Sequence, residues 1–194
     1  MNYKFKETAE NVYDALLQLA SEIVANSRHT FQPTAEFTGN LKEVSRWLTS
    51  PDTKYGLMLG GMFGNGKTVT LKAIRELMKQ CTLNPDNSHI FSQGTMICKA
   101  KELVEDVEMM NKAKGITWLL IDELGEEPTV VKTWGNSTTP IIDLIEYRYE
   151  NEMPTIATTN LSKKEVENKY MGRVADRIRD MFNTIIYRDK SFRG

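Results

Sequence analysis

Nine consecutive residues, GGMFGNGKT at positions 60–68, restrict the possible folds of this chain more than any other segment. Four of the nine are glycine, the residue that loses the most conformational freedom on folding. Such a concentration predicts a turn that needs bare backbone. Residues 61–68 match the pattern G-x-x-x-x-G-K-[ST] at every fixed position, which predicts a loop that binds phosphate through backbone N–H groups.

The segments on either side of this loop fit the same prediction. Residues 55–60, YGLMLG, form an apolar run of strand length, and Val69, Leu71, Ile74 and Leu77 recur at helical spacing after the loop. The loop is therefore predicted to join a strand to a helix, whose free N–H groups attract anions. The alternative, a glycine-rich turn that matches by chance, does not account for this context.

The pattern assigns ligands to the loop. Lys67 is predicted to reach the β and γ phosphates of ATP, and the Thr68 hydroxyl is predicted to bind Mg²⁺, which proteins usually hold with one or two oxygens plus phosphate and water. The predicted nucleotide contacts are Gly61, Met62, Phe63, Gly64, Asn65, Gly66, Lys67, Thr68 and Val69.

A second candidate element is WLLIDE at residues 118–123. Its continuous apolar run predicts a strand buried on both faces of a parallel sheet. Two carboxylates at the end of such a strand are costly to desolvate unless a cation is nearby, and ligands of open α/β sheets bind at this end. We predict that Asp122 helps to hold Mg²⁺ and that Glu123 polarises the attacking water. The alternative is that both carboxylates are simply solvated.

A third candidate element is PTIATTNLS at residues 154–162. Asn160 is predicted to hydrogen-bond the attacking water or the γ-phosphate, and Thr158 and Thr159 are weaker candidates for that role. The alternative is that Asn160 only caps the following helix.

Strands alternate with helices along the whole chain, so the predicted class is α/β with a parallel sheet of about five strands. The N-terminal part is predicted as a helix over 8–26, an irregular connector, and a helix over 41–48 capped by Asn40. The remaining predicted helices cover 67–80, 100–112, 140–150, 162–170 and 172–181, and the remaining predicted strands cover 89–94, 154–158 and about 183–188.

Composition limits the other function classes. A net charge of −1 gives no general attraction to nucleic acid or anionic lipid, so any such contact must be a local patch. The sequence predicts neither a signal peptide nor a membrane span, and we expect a cytoplasmic protein with no membrane partner. Cys81 and Cys98 lack the spacing of a zinc site.

Together these segments resemble the AAA+ ATPases, and within them the compact DnaC/IstB-type group of helicase loaders and transposition helper ATPases. The resemblance spans about residues 38–194 and rests on GGMFGNGKT, LLIDELGEE, IIDLIEYRYENEMPTIATTNLS and GRVADRIRDMFNTIIYRDKSFRG. It implies a P-loop three-layer sandwich, with an N-terminal helix and connector at 1–37 and an ATPase core at 38–194. Because the sequence stops directly after the last predicted strand, no C-terminal lid domain is expected.

The resemblance also implies a homo-oligomer, a ring or a filament, in which an arginine reaches the nucleotide of a neighbouring subunit. It places this arginine at Arg177, with Arg173 as the next candidate. A guanidinium stays charged and binds phosphate in a bidentate manner. The alternative is a surface helix with i,i+3 pairs, in which Arg173 pairs with Asp176 and Arg177 with Asp180.

Two departures from the family pattern are visible. Asp122-Glu123 stands where related loaders often have Asp-Asp, and this commoner superfamily pairing favours hydrolysis. Loaders also usually have a helicase-binding or zinc-binding domain in front, whereas residues 1–37 here contain no cysteine.

Two patches are candidates for contact with single-stranded DNA. Lys132 lies close to Trp134, and an exposed aromatic beside a cation could stack a base, although such a Trp more often packs against its own domain. Arg188, Lys190 and Arg193 form a second basic stretch, partly neutralised by Asp189.

The leading hypothesis is an oligomeric, Mg²⁺-dependent ATPase that binds ATP and ADP and loads or regulates a replicative helicase. The second is an IstB-like transposition helper that forms filaments on DNA. A small-molecule phosphotransferase and a nucleotide-gated binding module without turnover are the remaining alternatives.

Overall fold

The computed structural model describes residues 3–81, 94–133, 136–170 and 172–189. The helices are Ala9–Asn26 (α1), Ala35–Thr49 (α2), Lys67–Cys81 (α3), Ala100–Glu105 (α4), Val107–Gly115 (α5), Pro140–Glu150 (α6), Lys163–Tyr170 (α7) and Gly172–Met181 (α8). The strands are Gly56–Gly61 (β1), Thr95–Lys99 (β2), Trp118–Asp122 (β3), Val131–Thr133 (β4), Asn136–Thr138 (β5), Thr155–Thr159 (β6) and Phe182–Tyr187 (β7).

Five strands form one parallel sheet in the order β2-β3-β6-β1-β7. This confirms the predicted sheet. In the register of β1, Gly60 lies opposite Thr159 of β6 and Ile186 of β7. The carboxyl ends of β1 and β6 are therefore neighbours, and β3 lies on the other side of β6.

Alternate strand residues point to opposite faces of the sheet, and helices cover both faces. Leu57 and Leu59 of β1 pack in a core cluster with α1, α2 and α3, whereas Met58 packs in a second cluster with helices from α4 to α8. This is the predicted three-layer arrangement. None of the helices in the described part of the chain is long and apolar enough to cross a bilayer.

Helix α2 differs from its prediction. It begins at Ala35, and the Thr34 hydroxyl accepts a hydrogen bond from the Phe37 N–H at 3.0 Å. Asn40, predicted as the cap, is buried inside the helix. Thr34 satisfies an otherwise unpaired N–H of the first turn, so the helix starts at Ala35 instead of the predicted residue 41. The predicted domain boundary at 37/38 lies within this helix.

Three further elements differ from the predictions. The helix predicted over 100–112 is two helices, because Asp106 is extended and its carboxylate caps α5 by accepting from the Met109 N–H at 2.9 Å. Strand β2 was not predicted, and the strand predicted at 89–94 lies outside the described residues except for Gly94. Strands β4 and β5 form an antiparallel pair between β3 and α6, where the sequence predicted no strand.

Arg148 of α6 joins the amino-terminal ends of β3 and β6. Its side chain is buried, and burial lowers the pKa of the guanidinium to about 10. It donates hydrogen bonds of 2.7–3.0 Å to the main-chain oxygens of Ala113, Ile116, Thr117 and Pro154 and to the Thr155 hydroxyl.

Candidate nucleotide site

The loop between β1 and α3 has the backbone that its glycines predict. Gly61, Gly64 and Gly66 have φ of 134°, 79° and 95°, a region that side chains disfavour. A Cβ on Gly61 would lie 2.2 Å from the main-chain oxygen of Tyr187. Gly61 is thus required because the loop passes directly against the end of β7.

Asn65 fastens the loop to the sheet. Its side chain is buried, its Nδ2 donates to the Tyr187 main-chain oxygen at 2.8 Å, and its Oδ1 accepts from Lys67 Nζ at 3.1 Å. The side chain of this predicted nucleotide contact is therefore engaged by the protein itself, which leaves the backbone N–H groups of the loop as the groups that would bind phosphate.

Lys67 lies inside the loop. Its Nζ also donates to the main-chain oxygens of Gly61 at 2.6 Å and Met62 at 2.5 Å. Burial lowers the pKa of this ammonium to about 8, although the nearby Asp122 carboxylate acts in the opposite direction. The side chain is a buried cation held by neutral oxygens, so an anion in the loop would be a better partner for it.

Asp122, at the end of β3, contacts the glycine loop through one carboxylate oxygen. Oδ1 of the buried Asp122 accepts hydrogen bonds from the Thr68 hydroxyl at 3.1 Å and from the Thr158 hydroxyl at 2.6 Å. The structure thus brings the predicted ligands Thr68 and Asp122 together and adds Thr158 of β6. Their role as magnesium ligands stays a prediction.

The donor set at this point fits Mg²⁺. The Thr68 and Asp122 oxygens are hard ligands that already lie within contact of each other. Within the described ranges, no group of three or more His, Cys, Asp or Glu residues could hold a metal ion. Proteins usually supply one or two oxygens to Mg²⁺, as Thr68 and Asp122 would here, and phosphate and water supply the rest.

Glu123 has an unusual backbone and a charged partner. Its φ is 59°, and its N–H donates to the Thr158 hydroxyl at 2.9 Å. Its carboxylate lies 3.1 Å from Lys99 Nζ at the end of β2, and the two side chains are 39% and 53% exposed. Proximity to Glu123 raises the pKa of Lys99. Sequence reasoning missed Lys99 because β2 itself was not predicted.

Asn160 and Glu123 line a single cavity of about 1060 Å³ together with the loop. The connector between α1 and α2, which includes His29, Phe31 and Pro33, also lines this cavity. A cavity of this size can enclose a nucleotide. The connector was predicted only as an irregular segment, and nothing in its composition indicated that it would lie beside the loop.

A buried carboxylate holds the segment that follows Glu123. Glu127 accepts hydrogen bonds from the Gly125 N–H at 2.7 Å and from the Tyr170 hydroxyl at 2.7 Å. Lys169 Nζ donates to the Glu127 main-chain oxygen at 2.6 Å. This segment is thereby attached to α7. Sequence reasoning gave Glu127 no role, since one glutamate among several in a polar stretch has no distinguishing pattern.

The two candidate trans-acting arginines contact α6 of their own chain. Arg177, whose side chain is 14% exposed, lies 3.0 Å from carboxylate oxygens of both Glu146 and Glu150, and its guanidinium lies over the Tyr149 ring. Arg173, 72% exposed, lies 2.9 Å from Glu146.

The predicted alternative for these arginines involved i,i+3 pairs within α8. Among the described residues, the i,i+3 ion pair found in α8 joins Arg179 to Asp176 at 2.7 Å. The pairs observed for Arg173 and Arg177 therefore run between helices rather than along one helix. Neither arrangement tests a role in a neighbouring subunit.

Most of the predicted DNA-contact residues lie outside the described part of the chain. These are Trp134, Lys190 and Arg193, and the side chain of Lys132 is not described either. Arg188 is exposed, and its main-chain N–H donates to Glu36 of α2. The Asp189 carboxylate accepts from the Thr34 hydroxyl, so the end of β7 is tied to the start of α2.

Solved structures with the same fold include DnaI, a DnaC helicase loader and DnaA. DnaI is 21% identical, with a TM-score of 0.52 over 91% of this chain and 82% of DnaI. A DnaC helicase loader is 22% identical, with a TM-score of 0.55 over 81% of this chain and 93% of the loader. AMPPCP-bound DnaA from Aquifex aeolicus is 15% identical, with a TM-score of 0.53 over 80% and 48% of the two chains.

No protein-family model matches the sequence, and no curated protein matches it. The fold, the glycine loop and the acidic strand end define an α/β protein with a P-loop fold. Within that class the chain has the fold of DnaI and of the DnaC helicase loader, so the resemblance predicted from sequence is confirmed at the level of the fold.

Proposed function

We propose that this protein binds ATP with Mg²⁺, hydrolyses it, and acts in DNA replication. The observation that supports this most directly is the meeting of Thr68, Asp122 and Thr158 within 3.1 Å beside the glycine loop. A loop that binds phosphate and an acidic group that binds magnesium must be neighbours for nucleotide hydrolysis.

In the proposed mechanism, binding replaces internal contacts of the loop. Backbone N–H groups of residues 61–68 and the start of α3 bind the phosphates. Lys67 exchanges neutral main-chain acceptors for phosphate oxygens, which favours its charged form. Bound Mg²⁺ would neutralise developing negative charge on the phosphates, with Thr68 and Asp122 as its protein neighbours.

Glu123 is proposed to accept a proton from the attacking water, and Asn160 is proposed to orient that water. Both line the same cavity as the loop. The Glu123 carboxylate forms an ion pair with Lys99, whose Nζ lies 3.1 Å away. Water must therefore compete with Lys99 for the carboxylate, which predicts slow hydrolysis by the isolated chain.

Completion of the site is proposed to need a second subunit. Arg177, or Arg173, would contact the phosphates bound to a neighbouring subunit in a ring or filament. For Arg177 this requires the guanidinium to leave Glu146 or Glu150, since both now lie 3.0 Å away. A monomer should accordingly hydrolyse ATP poorly.

The proposed biological role is loading or regulating a replicative helicase in the cytoplasm, with single-stranded DNA as a possible ligand. It is supported by the shared fold with a structure described as a helicase loader. The same likeness favours replication over a transposition helper or a small-molecule phosphotransferase.

The test is the ATPase rate per subunit as a function of protein concentration, with and without single-stranded DNA. We expect the rate per subunit to rise with concentration. Lys67→Ala should abolish nucleotide binding, whereas Glu123→Gln should retain binding and lose turnover. Wild-type nucleotide affinity in Lys67→Ala would contradict the proposed site, and a rate per subunit that stays flat would contradict the shared site alone.

A further inference from the structure

The Thr158 hydroxyl lies between Asp122, the last residue of β3, and Glu123, the residue that follows the strand. It donates to Asp122 Oδ1 at 2.6 Å and accepts from the Glu123 N–H at 2.9 Å. A hydroxyl has a single proton to donate, so donation to Asp122 leaves its lone pairs for the Glu123 N–H. The side chain is buried, with 1% exposed, so these contacts are shielded from water.

The contact with Asp122 restricts its carboxylate. Oδ1 receives one hydroxyl from the loop side, Thr68, and one from the sheet side, Thr158. Two donors on one oxygen define the rotation of the carboxylate about its bond to Cβ. Thr68 is itself a predicted magnesium ligand and would be redirected by the metal, which leaves Thr158 as the fixed donor.

The contact with Glu123 stabilises a backbone conformation that a non-glycine residue disfavours. The φ of Glu123 is 59°, in the left-handed region. Thr158 accepts from the Glu123 N–H through its hydroxyl and from the Leu124 N–H through its main-chain oxygen, at 2.8 Å. One residue of β6 thus holds two successive N–H groups of the bend that follows β3.

We propose that Thr158 is a positioning residue that sets the orientation of both Asp122 and Glu123 through its single hydroxyl. The inference rests on the proposed function, since it assigns Thr158 to the same site. It differs from the role considered from the sequence, in which Thr158 contacted the water or the γ-phosphate directly. Here Thr158 acts through the two carboxylate residues.

Thr159 offers a matched control. It is as buried as Thr158, with 3% exposed, and its hydroxyl also has two protein partners. It donates to the Leu124 main-chain oxygen at 2.7 Å and accepts from the Leu161 N–H at 3.2 Å. Both partners belong to apolar residues, so loss of this hydroxyl tests buried hydrogen bonding without altering a contact of the acidic pair.

The experiment compares Thr158→Ser with Thr158→Ala in the full chain, since these variants differ only in the hydroxyl. Thr158→Val and Thr159→Val are the isosteric pair. Each variant is assayed for affinity for a fluorescent ADP analogue in EDTA, for the Mg²⁺ concentration at half-maximal effect on binding, and for ATP turnover. The urea midpoint is measured in parallel.

We expect Thr158→Ala to need about 10-fold more Mg²⁺ than Thr158→Ser and to have a kcat lower by about 10- to 100-fold, the usual range for loss of a residue that orients a metal ligand. Affinity in EDTA should stay within about 3-fold of wild type, because the loop is unchanged. Thr158→Ser should resemble wild type in both Mg²⁺ requirement and turnover, and Thr159→Val should have the wild-type Mg²⁺ requirement.

Equal Mg²⁺ requirements for the Ser and Ala variants would overturn the proposal, as would an equally raised Mg²⁺ requirement in Thr158→Val and Thr159→Val. A lowered urea midpoint with an unchanged Mg²⁺ requirement would assign Thr158 a purely structural role and would also overturn it. Failure of the proposed function is recognised separately, because Lys67→Ala would then bind the ADP analogue as tightly as wild type.

Discussion

Replacement of Arg148 tests the physical account of how β3 and β6 are joined. The guanidinium donates to four main-chain oxygens and the Thr155 hydroxyl, and none of these acceptors is charged. Arg148→Met keeps an unbranched apolar stem of similar reach and removes all five donors. Arg148→Lys keeps a charge but offers three donors from one atom.

The expected magnitude follows from two opposing effects. Hydrogen bonds from a charged donor contribute about 1.5–3 kcal/mol each, and buried acceptors left unpaired add a penalty. Burial of the guanidinium costs several kcal/mol, as its lowered pKa of about 10 indicates. The net loss in free energy of unfolding should be about 3–5 kcal/mol for Met. For Lys, which can pair with a subset of the acceptors, it should be about 2–3 kcal/mol.

Urea unfolding followed by tryptophan fluorescence measures this difference, with Arg179→Met as a control because Arg179 is exposed and pairs only along α8 in the described contacts. The control should change stability by less than about 0.5 kcal/mol. An Arg148→Met protein within about 1 kcal/mol of wild type would refute the reasoning, since it would mean that the five acceptors need no partner.

Three further predictions concern the nucleotide site. In the nucleotide-free protein, burial lowers the pKa of Lys67 to about 8, whereas bound phosphate favours the charged form of this side chain. Nucleotide affinity should therefore fall by about 10-fold from pH 7 to 9, and calorimetry in two buffers should show proton uptake on binding. No proton uptake at pH 8.5 would contradict this prediction. Lys99→Ala should raise basal ATP turnover by up to about 5-fold, because an exposed ion pair with Glu123 of about 0–1 kcal/mol is lost; an unchanged or lower rate in a phosphate-release assay would be the contrary result. Gly61→Ala should lose nucleotide binding, and its free energy of unfolding should fall by about 1–3 kcal/mol, because the added Cβ would lie 2.2 Å from a main-chain oxygen of β7. The control for this substitution is Gly39→Ala, whose Cβ would have nothing within 4 Å; thermal unfolding should show it to be neutral or stabilising by up to about 1 kcal/mol.

Much of the fold was predictable because its signals are local. The glycine loop, the apolar run before Asp122 and the spacing of α8 each depend on neighbours within one element, and the order of strands and helices then implies a parallel sheet. Where two local signals competed, the sequence was ambiguous. Thr34 and Asn40 are both good caps, and only the packing of α2 from Phe37 onward favours the earlier start.

By itself, the sequence determined that a phosphate-binding loop, an acidic strand end and a parallel sheet occur in one chain, because each depends on residue types at short spacing. The tertiary structure decided which side chains complete the site. Thr158 and Asp122 are separated by 36 residues and Asn65 and Tyr187 by 122, so their contacts follow from strand order and register. The partners of Arg177 likewise depend on how α8 packs against α6, which no spacing along the chain specifies.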